Sequence, residues 1–454
     1  MLQSAFNAAI DPPMPTHSEG LGRAVARSYW QRLSGMPLSG EVDALPLETR
    51  IAIVGGGFAG LATALRIKEL DPTAEIVLIE GKSVGYGASG RNGGLMSPLP
   101  APVWLATGLN NQAHANAMGL LKNAVTEAAH WAARLAPCAE VTAVPLSLDA
   151  KGWITDAGLA HVSHTLSAAG IAHQLAARNA RRAPRSLDIE AHTVNPYRLV
   201  CGLAAVARKQ GIKIVEHASV RAIEDRHDAG AHIVLTDGRT MKAATVVIAT
   251  NAYTSSIALP KPPRAKVVHN YMLATERLSP EVISRLLKAG RSQGHFVVEL
   301  NAAYVFYRLH EGRLIFGGIE KLKSAEPGDL DVPAAVLSGL RKHLATTLDG
   351  LALPPIAEAW GGRFHMTTTD LPIIQRASAT SSIVFNVGYG GTGVALTLSL
   401  APVAAALALT RPLRDANLST IHNTMRTTRM PIIGAMRFAA GVLATSLAER
   451  QARL

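Results

Sequence analysis

The sequence predicts an α/β fold, α+β overall, in which a Rossmann-like nucleotide-binding domain is interrupted by an inserted antiparallel, β-rich domain. Three observations predict this fold. A strand, a glycine-rich turn and a helix follow one another over residues 51–70. A further glycine cluster follows an apolar run at residues 383–393, far along the chain. Between the two, residues 264–320 contain alternating apolar and polar positions, which indicate strands with one buried face.

The first element is a βαβ unit. Ile51–Val54 is an apolar run that predicts a buried strand, residues 58–70 have helical spacing, and residues 75–80 predict a second strand. Between the first strand and the helix stands GGGFAG, Gly55–Gly60, whose GxGxxG glycines permit a tight turn, approach of a pyrophosphate and close helix packing. Glu80 ends the second strand, where an acid accepts hydrogen bonds from a ribose hydroxyl. Together these features predict a dinucleotide site.

A second glycine-rich loop distinguishes FAD from NAD. Residues 85–94 are GYGASGRNGG, in which Ser89 and Arg91 add a hydroxyl and a cation to a loop rich in backbone N–H groups. Such a loop lines the remainder of a long dinucleotide, and a simple NAD domain usually lacks it. A third cluster, GYGGTG at 388–393, opens a helix predicted over Thr392–Leu409, whose N-terminus stabilises the negative charge of a reduced flavin. FAD is therefore the predicted cofactor.

The order of these elements predicts a discontinuous domain organisation. The predicted parts are an N-terminal extension at 1–45, an FAD-binding domain at 46–140, 195–255 and 355–410, a substrate-binding domain at 141–194 and 256–354, and a basic C-terminal tail at 411–454. Within the extension, SYWQRL at residues 28–33 is predicted to dock on the body as a short element.

The net charge of +12 restricts the partners. Such a charge attracts nucleic acid, an anionic membrane surface or a small anionic substrate. Only 5% of the residues are aromatic and no basic run is interleaved with them, so no nucleic-acid partner is expected. Peripheral membrane contact through the basic tail stays open as an alternative. The sequence indicates no oligomeric state.

Cysteine usage argues against two further classes of site. Cys138 and Cys201 have no CxxC spacing, which argues against a zinc site or a redox pair, and no metal is predicted. Two cysteines in 454 residues fit a reducing compartment. The N-terminal residues carry acids and prolines where an export signal needs an apolar stretch, so a cytoplasmic location is predicted.

The motifs occur in the order seen in one family. GGGFAG with Glu80, then GASGRNGG, ATNAYT at 249–254, WGG at 360–362 with DLP at 370–372, and GYGGTG resemble the D-amino acid oxidase/glycine oxidase superfamily over nearly the whole chain. The chain is most similar to the γ-glutamylputrescine oxidase group, of which GASGRNGG, the SYW segment and the sequence at 429–450 are typical. Flavin oxidoreductases that act on aminophosphonates resemble the same group.

The resemblance implies an extended set of contacts to FAD. The residues implied to hold the ADP half, the pyrophosphate, the ribityl chain and the isoalloxazine are Gly55, Gly57, Phe58, Ala59, Gly60, Glu80, Gly81, Lys82, Gly87, Ala88, Ser89, Arg91, Asn92, Gly93, Val220, Ala249, Thr250, Gly362, Gly391, Thr392, Gly393 and Val394. Thr392 stands where many relatives have histidine. Because no histidine lies in GASGRNGG and both cysteines lie outside the flavin motifs, we expect FAD to be non-covalent.

The resemblance also implies the reaction. A small amine or amino acid, with an anionic end in the γ-glutamyl amines and aminophosphonates, is oxidised at its C–N bond by hydride transfer to flavin, and the imine hydrolyses to an aldehyde or keto acid. Because the flavin accepts the hydride, no dedicated catalytic residue is predicted. The acceptor that reoxidises the flavin, oxygen or another compound, stays open. An FAD-dependent tRNA-modifying enzyme is the alternative function, and a protein that keeps the fold only for binding is a third.

An anionic end requires a binding group, for which arginine is suited because its planar fork donates two hydrogen bonds. The candidates for the substrate site are Arg363, Arg308, Tyr271, His269, Tyr307, His365 and Tyr389. For several of them a structural role is the alternative: Arg308 as partner of a surface acid, His365 as a structural histidine, and Tyr271 and Tyr307 as core residues.

Overall fold

The computed structural model of the protein describes residues 27–35, 43–99, 112–150, 156–176, 186–288, 294–300, 305–322, 331–348, 350–367, 369 and 371–427. Most of the predicted N-terminal extension, the tail beyond residue 427 and Asp370 of the DLP sequence lie outside the described residues.

The strands belong to two sheets. In chain order they are β1 Glu48–Val54, β2 Ile76–Ile79, β3 Leu95–Met96, β4 Thr142–Ala150, β5 His173–Ala176, β6 Ser186–Thr193, β7 Lys213–Val215, β8 Val220–Asp225, β9 Ala231–Leu235, β10 Thr240–Ile248, β11 Lys266–Thr275, β12 Phe296–Leu300, β13 Val305–His310, β14 Arg313–Leu322, β15 Ile356–Met366, β16 Ile373–Arg376 and β17 Ile383–Val387.

The α-helices of the described residues are α1 Tyr29–Leu33, α2 Phe58–Leu70, α3 Gln112–Leu135, α4 Asp156–Ala168, α5 Pro196–Lys209, α6 Pro280–Lys288, α7 Ala334–Leu348, α8 Gly393–Ser399, α9 Ala401–Ala408 and α10 Ala416–Thr427. None of the helices in the described ranges is long and apolar enough to cross a membrane.

The first sheet has the order β16-β17-β10-β1-β2-β7, with β8 and β9 attached through β10. The five consecutive strands from β17 to β7 are parallel. Successive residues of β1 enter two different cores, because strand side chains alternate between the two faces: Ile51 and Ile53 pack with α2, and Ala52 and Val54 pack on the opposite face. Burial on both faces explains why this strand is a continuous apolar run.

The second sheet has the order β15-β11-β14-β13-β12-β4-β6-β3, with β5 paired to β6. The alternating residues 264–320 form antiparallel strands as predicted, but β12 pairs with β4 in parallel. Leu95–Met96 and Ile356–Met366 also belong to this sheet, although the sequence division assigned them to the FAD-binding domain. Both strands pair with distant segments, which local sequence does not indicate.

The helix predicted over Thr392–Leu409 is in fact two helices, α8 and α9, separated at Leu400. The reason is Pro402, which lacks the backbone N–H that would donate to the carbonyl of Leu398, so α8 ends before it and α9 begins with the proline in its first turn. The helix predicted from Leu199 begins at Pro196 instead, because the side chain of Asn195 accepts a hydrogen bond from the amide of Arg198 and caps it.

Candidate cofactor and active site

Four loops at the carboxyl ends of parallel strands form one wall of a cavity of about 430 Å³. The loops follow β17, β10, β1 and β2, which are successive neighbours in the first sheet. Ligands of open α/β sheets bind at this edge of the sheet. Side chains of β11, β12, β13 and β15 in the second sheet form the facing wall.

The glycine turn after β1 has no room for side chains. Gly55 has φ +117°, and a Cβ there would lie 2.6 Å from the carbonyl oxygen of Ala249. A Cβ on Gly57 would lie 2.7 Å from the hydroxyl of Ser89. Gly60 has a different role, since a Cβ there would lie 2.0 Å from the carbonyl oxygen of Gly55, and Gly60 does not line the cavity. The turn therefore leaves bare backbone facing the cavity, which suits a pyrophosphate.

Glu80 lies at the end of β2 beside this turn. One carboxylate oxygen accepts from the amide of Gly56 at 2.7 Å, and the other accepts from the amide of Lys82 at 2.8 Å. Burial raises the pKa of this carboxyl, and the two amide hydrogen bonds oppose the shift. Each oxygen has a further lone pair, so Glu80 can accept from a ribose hydroxyl and keep both amide contacts. Its position fits the adenosine half of FAD.

Residues 85–94, which we call the flavin loop, carry most of the remaining polar wall. The hydroxyl of Ser89 accepts from the amide of Phe58 at 3.0 Å, which ties the loop to the first turn of α2. The guanidinium of Arg91 is buried and its Nε donates to the carbonyl of Tyr86 at 2.7 Å. The side chain of Asn92 bridges Ala88 and the end of the loop. Arg91 therefore adds a fixed positive charge to the cavity wall.

The third glycine cluster places the ring of Tyr389 in the cavity wall, with its hydroxyl turned away from the cavity. The phenol of Tyr389 donates to the side chain of Asn386, whose amide donates to the hydroxyl of Thr63 at 3.0 Å. Tyr389 lines the cavity, but its hydroxyl is directed into this buried network. Thr392, in the place of the histidine of many relatives, does not line the cavity. The following residue, Gly393, begins α8 and does line it.

Most of the residues implied to contact FAD come together in this one cavity. Those that line it are Gly55, Gly57, Phe58, Ala59, Glu80, Gly81, Lys82, Gly87, Ala88, Ser89, Arg91, Asn92, Gly93, Val220, Ala249, Thr250, Gly362, Gly391, Gly393 and Val394. The chemistry of this set fits FAD, because it combines bare glycine backbone, an acid for the ribose and cations for the pyrophosphate. Neither Cys138 nor Cys201 lines the cavity, and non-covalent FAD stays a prediction.

Of the substrate candidates, Arg363 and Tyr389 line the cavity, and the other five do not. On β11, Asn270 and Met272 face the cavity, whereas Tyr271 packs in the core behind the sheet. His269 is buried and also lies outside the cavity wall. Because strand side chains alternate, the candidates His269 and Tyr271 lie away from the face of β11 that lines the cavity.

On β13 the candidates Tyr307 and Arg308 also lie outside the cavity wall, for two different reasons. Phe306 lines the cavity, and Tyr307 stacks on Phe316 at 6.0 Å in the core on the other face. Arg308 shares the face of Phe306 but lies further along, where it donates to the carbonyl of Val194 at 2.9 Å. It lines a separate cavity of about 300 Å³ instead. Burial lowers the pKa of Arg308 to about 10, so it stays a cation at neutral pH.

His365 is a buried histidine behind the cavity wall. It is only 3% exposed, and its Nδ1 has no hydrogen-bond partner among the described residues. Its backbone connects the site, because its amide donates to the side chain of Asn251 at 3.4 Å and its carbonyl accepts from Gly390 at 3.0 Å. Burial, and secondarily the charge of Arg363, lowers the pKa of His365 to about 4.

This histidine is expected to make the apoprotein sensitive to acid. Its pKa in the folded state lies below its value of 6.5 in the unfolded chain, so the unfolded state binds the proton first. The corresponding stability is complete above pH 6.5 and is lost as the pH falls towards 4. When the pH falls from 7 to 4.5, the free energy of unfolding should therefore decrease by about 2–3 kcal/mol more in the wild type than in His365→Asn.

Urea unfolding at the two pH values measures this difference. His164→Asn is the matched control, because His164 lies exposed on α4. Equal losses of unfolding free energy in the wild type and in His365→Asn would show that His365 does not titrate as its burial requires.

Several cavity residues were not identified from the sequence. Tyr253 lies within the ATNAYT motif, and the guanidinium carbon of Arg363 lies 4.2 Å from the centre of its ring. Asn270, Met272 and Phe306 each stand next to a predicted substrate candidate. The two-residue period of the strands shows which residues share a face, but only the packing decides which face lines the cavity.

Comparison with known proteins supports the assignment of this cavity to FAD. Residues 50–407 match the model of the DAO family, described as FAD dependent oxidoreductase. A probable oxidoreductase OrdL of Rhizobium meliloti (strain 1021) is 25% identical over 87% of this chain and 90% of its own length. Gamma-glutamylputrescine oxidoreductase of Escherichia coli (strain K12) is 25% identical over 76% of this chain and 80% of its own length.

Solved structures show the same fold at low sequence identity. The L-proline dehydrogenase of P. horikoshii has a TM-score of 0.66 at 16% identity and covers 81% of this chain and 94% of its own. The glycine oxidase of Geobacillus kaustophilus has a TM-score of 0.64 at 17% identity and covers 81% of this chain and 96% of its own. Since the family model spans most of the chain and its FAD motifs meet in one cavity, the chain belongs to the DAO family of FAD-dependent oxidoreductases.

Proposed function

We propose that the enzyme oxidises the C–N bond of a small amine or amino acid that carries an anionic group at its far end. The imine product then hydrolyses in water to an aldehyde or a keto acid. The observation that carries this proposal is Arg363, a half-buried arginine held against Tyr253 in the wall of the cavity. A γ-glutamyl amine or an aminophosphonate has the required anionic end, and a relative named for a γ-glutamyl amine supports this class.

The charges of the wall favour an anionic substrate. Of the three cations that line the cavity, Lys82 and Arg91 belong to the set predicted to bind FAD, which leaves Arg363 for the substrate, and among the described residues that line the cavity Glu80 is the single acid. Glu80 is engaged with the amides at the adenosine end. Arg363 belongs to β15 of the second sheet, so its positive charge acts on the part of the cavity formed by that sheet. A guanidinium there binds a carboxylate or phosphonate through two parallel hydrogen bonds.

The same distribution favours a neutral amine. No acid of the described wall other than Glu80 is available to stabilise an ammonium group. Nearby cations disfavour protonation of an amine and lower its pKa. The wall therefore helps to supply the unprotonated amine that this oxidation requires.

Apolar side chains from the second sheet complete the wall. Met272, Phe296, Val298 and Phe306 line the cavity, and the two phenylalanines stack at 6.0 Å. These groups exclude water, and low polarity strengthens the interaction of Arg363 with an anion. When bound, FAD supplies the hydride acceptor, and the residues of this chain bind, orient and desolvate the substrate.

The test begins with the visible spectrum of the purified protein. The protein is then mixed without oxygen with amines, amino acids, γ-glutamyl amines and aminophosphonates, each paired with an analogue whose anionic group is capped as an amide or ester. We expect bleaching of the flavin by a member of the anionic set and much slower bleaching by its capped analogue. Admission of air then shows whether oxygen is an acceptor.

Two results would contradict the proposal separately. Equal bleaching by a substrate and its capped analogue would show that the enzyme does not recognise the anionic end. A flavin that is reduced by dithionite but by no amine of the panel would contradict oxidation of a C–N bond.

A further inference from the structure

Helix α1 packs directly on the backbone of the flavin loop. The hydroxyl of Ser28, the residue that caps α1, donates to the carbonyl of Gly90 at 2.6 Å. The indole Nε1 of Trp30 donates to the carbonyl of Asn92 at 2.8 Å. Ser28 and Trp30 are both 0% exposed. A segment more than 50 positions earlier in the sequence thus contacts the loop that lines the FAD cavity.

Three consecutive carbonyls of the loop are fixed in this way. Between the two contacts from α1, the carbonyl of Arg91 accepts from the indole Nε1 of Trp360 at 2.8 Å. The loop residues Arg91 and Asn92 themselves line the cavity. Carbonyl oxygens that turned towards the cavity would place partial negative charge against the pyrophosphate of FAD. Holding these three carbonyls on side-chain donors prevents that rotation.

The loop needs such support because it is rich in glycine. Gly85 and Gly94 have φ of +73° and +74°, and glycine loses more conformational freedom on ordering than any other residue. Ordering the loop therefore opposes FAD binding unless something else has already restricted it. The hydrogen bonds from Ser28, Trp30 and Trp360 restrict the loop in this way.

Helix α1 is itself anchored on the second sheet. The guanidinium of Arg308 lies over the indole of Trp30 at 4.7 Å, and the phenol of Tyr29 hydrogen-bonds with His310 at 3.0 Å. Arg32 pairs with Glu358 of β15 at 3.2 Å. These contacts explain the burial of Arg308, which was a candidate for the substrate site. They place α1 between the flavin loop and the sheet.

We propose that Ser28 and Trp30 are positioning residues for the cofactor: α1 holds the flavin loop in the conformation that binds FAD, and bound FAD holds α1 on the body. Coupling between two binding events is reciprocal, so each must strengthen the other by the same factor. The proposal concerns FAD alone and does not depend on the identity of the substrate.

The test measures FAD affinity in variants that remove one donor each. Ser28→Ala removes the hydroxyl, which donates to the loop and also caps α1 by accepting from the amide of Gln31, and Ser28→Thr keeps both contacts. Trp30→Phe removes the indole N–H and keeps an aromatic ring. Titration of each apoprotein, followed by the quenching of FAD fluorescence, gives the dissociation constant. We expect Ser28→Ala and Trp30→Phe each to raise it roughly tenfold, because each leaves a buried carbonyl unpaired, and Ser28→Thr to restore it.

The matched control is Trp131→Phe, because the indole of Trp131 donates to Glu69 on α2 and not to the flavin loop. Its dissociation constant should equal that of the wild type. If Ser28→Ala and Trp30→Phe lower the melting temperature equally with and without FAD and leave the dissociation constant unchanged, α1 is only a structural support.

A second measurement uses the wild type and needs no variant. Amide hydrogen exchange in residues 28–34 should slow when FAD saturates the apoprotein. Exchange that is the same with and without FAD would overturn the coupling. A wild type that binds no FAD would contradict the cofactor assignment itself, which is a different result.

Discussion

Gly57→Ala is expected to weaken FAD binding roughly 100-fold, or about 2.7 kcal/mol. The backbone of Gly57 has φ −93°, which alanine also adopts, so the loss comes from space and not from conformation. The new methyl group would lie 2.7 Å from the hydroxyl of Ser89 and would occupy the edge of the cavity where bare backbone faces the pyrophosphate. Fluorescence titration of the apoprotein with FAD measures the effect.

Two further variants identify its cause. Gly238→Ala is the control for a new methyl group at a glycine away from the cavity: no atom lies within 4 Å of a Cβ there, and the strain that alanine has at its φ of +89° affects the stability of that turn and not the cavity, which Gly238 does not line. It should leave the FAD affinity unchanged. Combining Gly57→Ala with Ser89→Gly removes the internal clash while it leaves the methyl group at the pyrophosphate edge. If this double variant regains full affinity, the clash with Ser89 is the whole effect and Gly57 does not approach the cofactor.

Arg363→Met is expected to lower kcat/KM for an anionic substrate roughly 10³-fold, or about 4 kcal/mol. The substitution keeps most of the aliphatic length but removes the guanidinium that lies 4.2 Å above Tyr253. Arg363→Lys should recover part of the loss, because lysine restores the charge but not the two parallel hydrogen bonds. Steady-state kinetics with the substrate identified by flavin bleaching measures both variants.

The control for this prediction is twofold. Arg341→Met removes an exposed arginine of α7 and should leave the kinetics unchanged. The capped, uncharged form of the substrate should be oxidised at nearly the same rate by the wild type and by Arg363→Met. A similar loss for charged and capped substrates would mean that Arg363 shapes the cavity and does not bind the anion. A weakened FAD affinity in Arg363→Met would assign the residue to the cofactor.

The FAD half of the site was predictable because each of its signals is local. The turn Gly55–Gly60 needs glycines for reasons that lie within a few residues of the turn, and Glu80 follows at the end of the next strand. Parallel strands of one sheet bring their carboxyl ends to the same edge, so separate glycine clusters meet there without further information. The flavin loop adds Arg91, and its sequence alone indicated a shaped site.

The substrate half was predicted less well, because it depends on the face that each strand turns inward. On β11 the sequence left Tyr271 open between the substrate site and the core, and the packing places it in the core while Asn270 and Met272 face the cavity. A shift of one residue exchanges the two faces of a strand, and both faces of these strands carry apolar groups. Of the seven predicted substrate residues, two line the cavity: Arg363, which follows a glycine motif, and Tyr389, which lies within one.

By itself the sequence determined the fold class, the FAD cofactor and the order of the motifs, because these follow from short-range rules of turn geometry and hydrophobic period. Tertiary structure alone decided two things. It placed the guanidinium of Arg308 over the indole of Trp30, and it brought α1 onto the flavin loop. Those outcomes depend on contacts between segments far apart in the chain, whose partners no local pattern specifies.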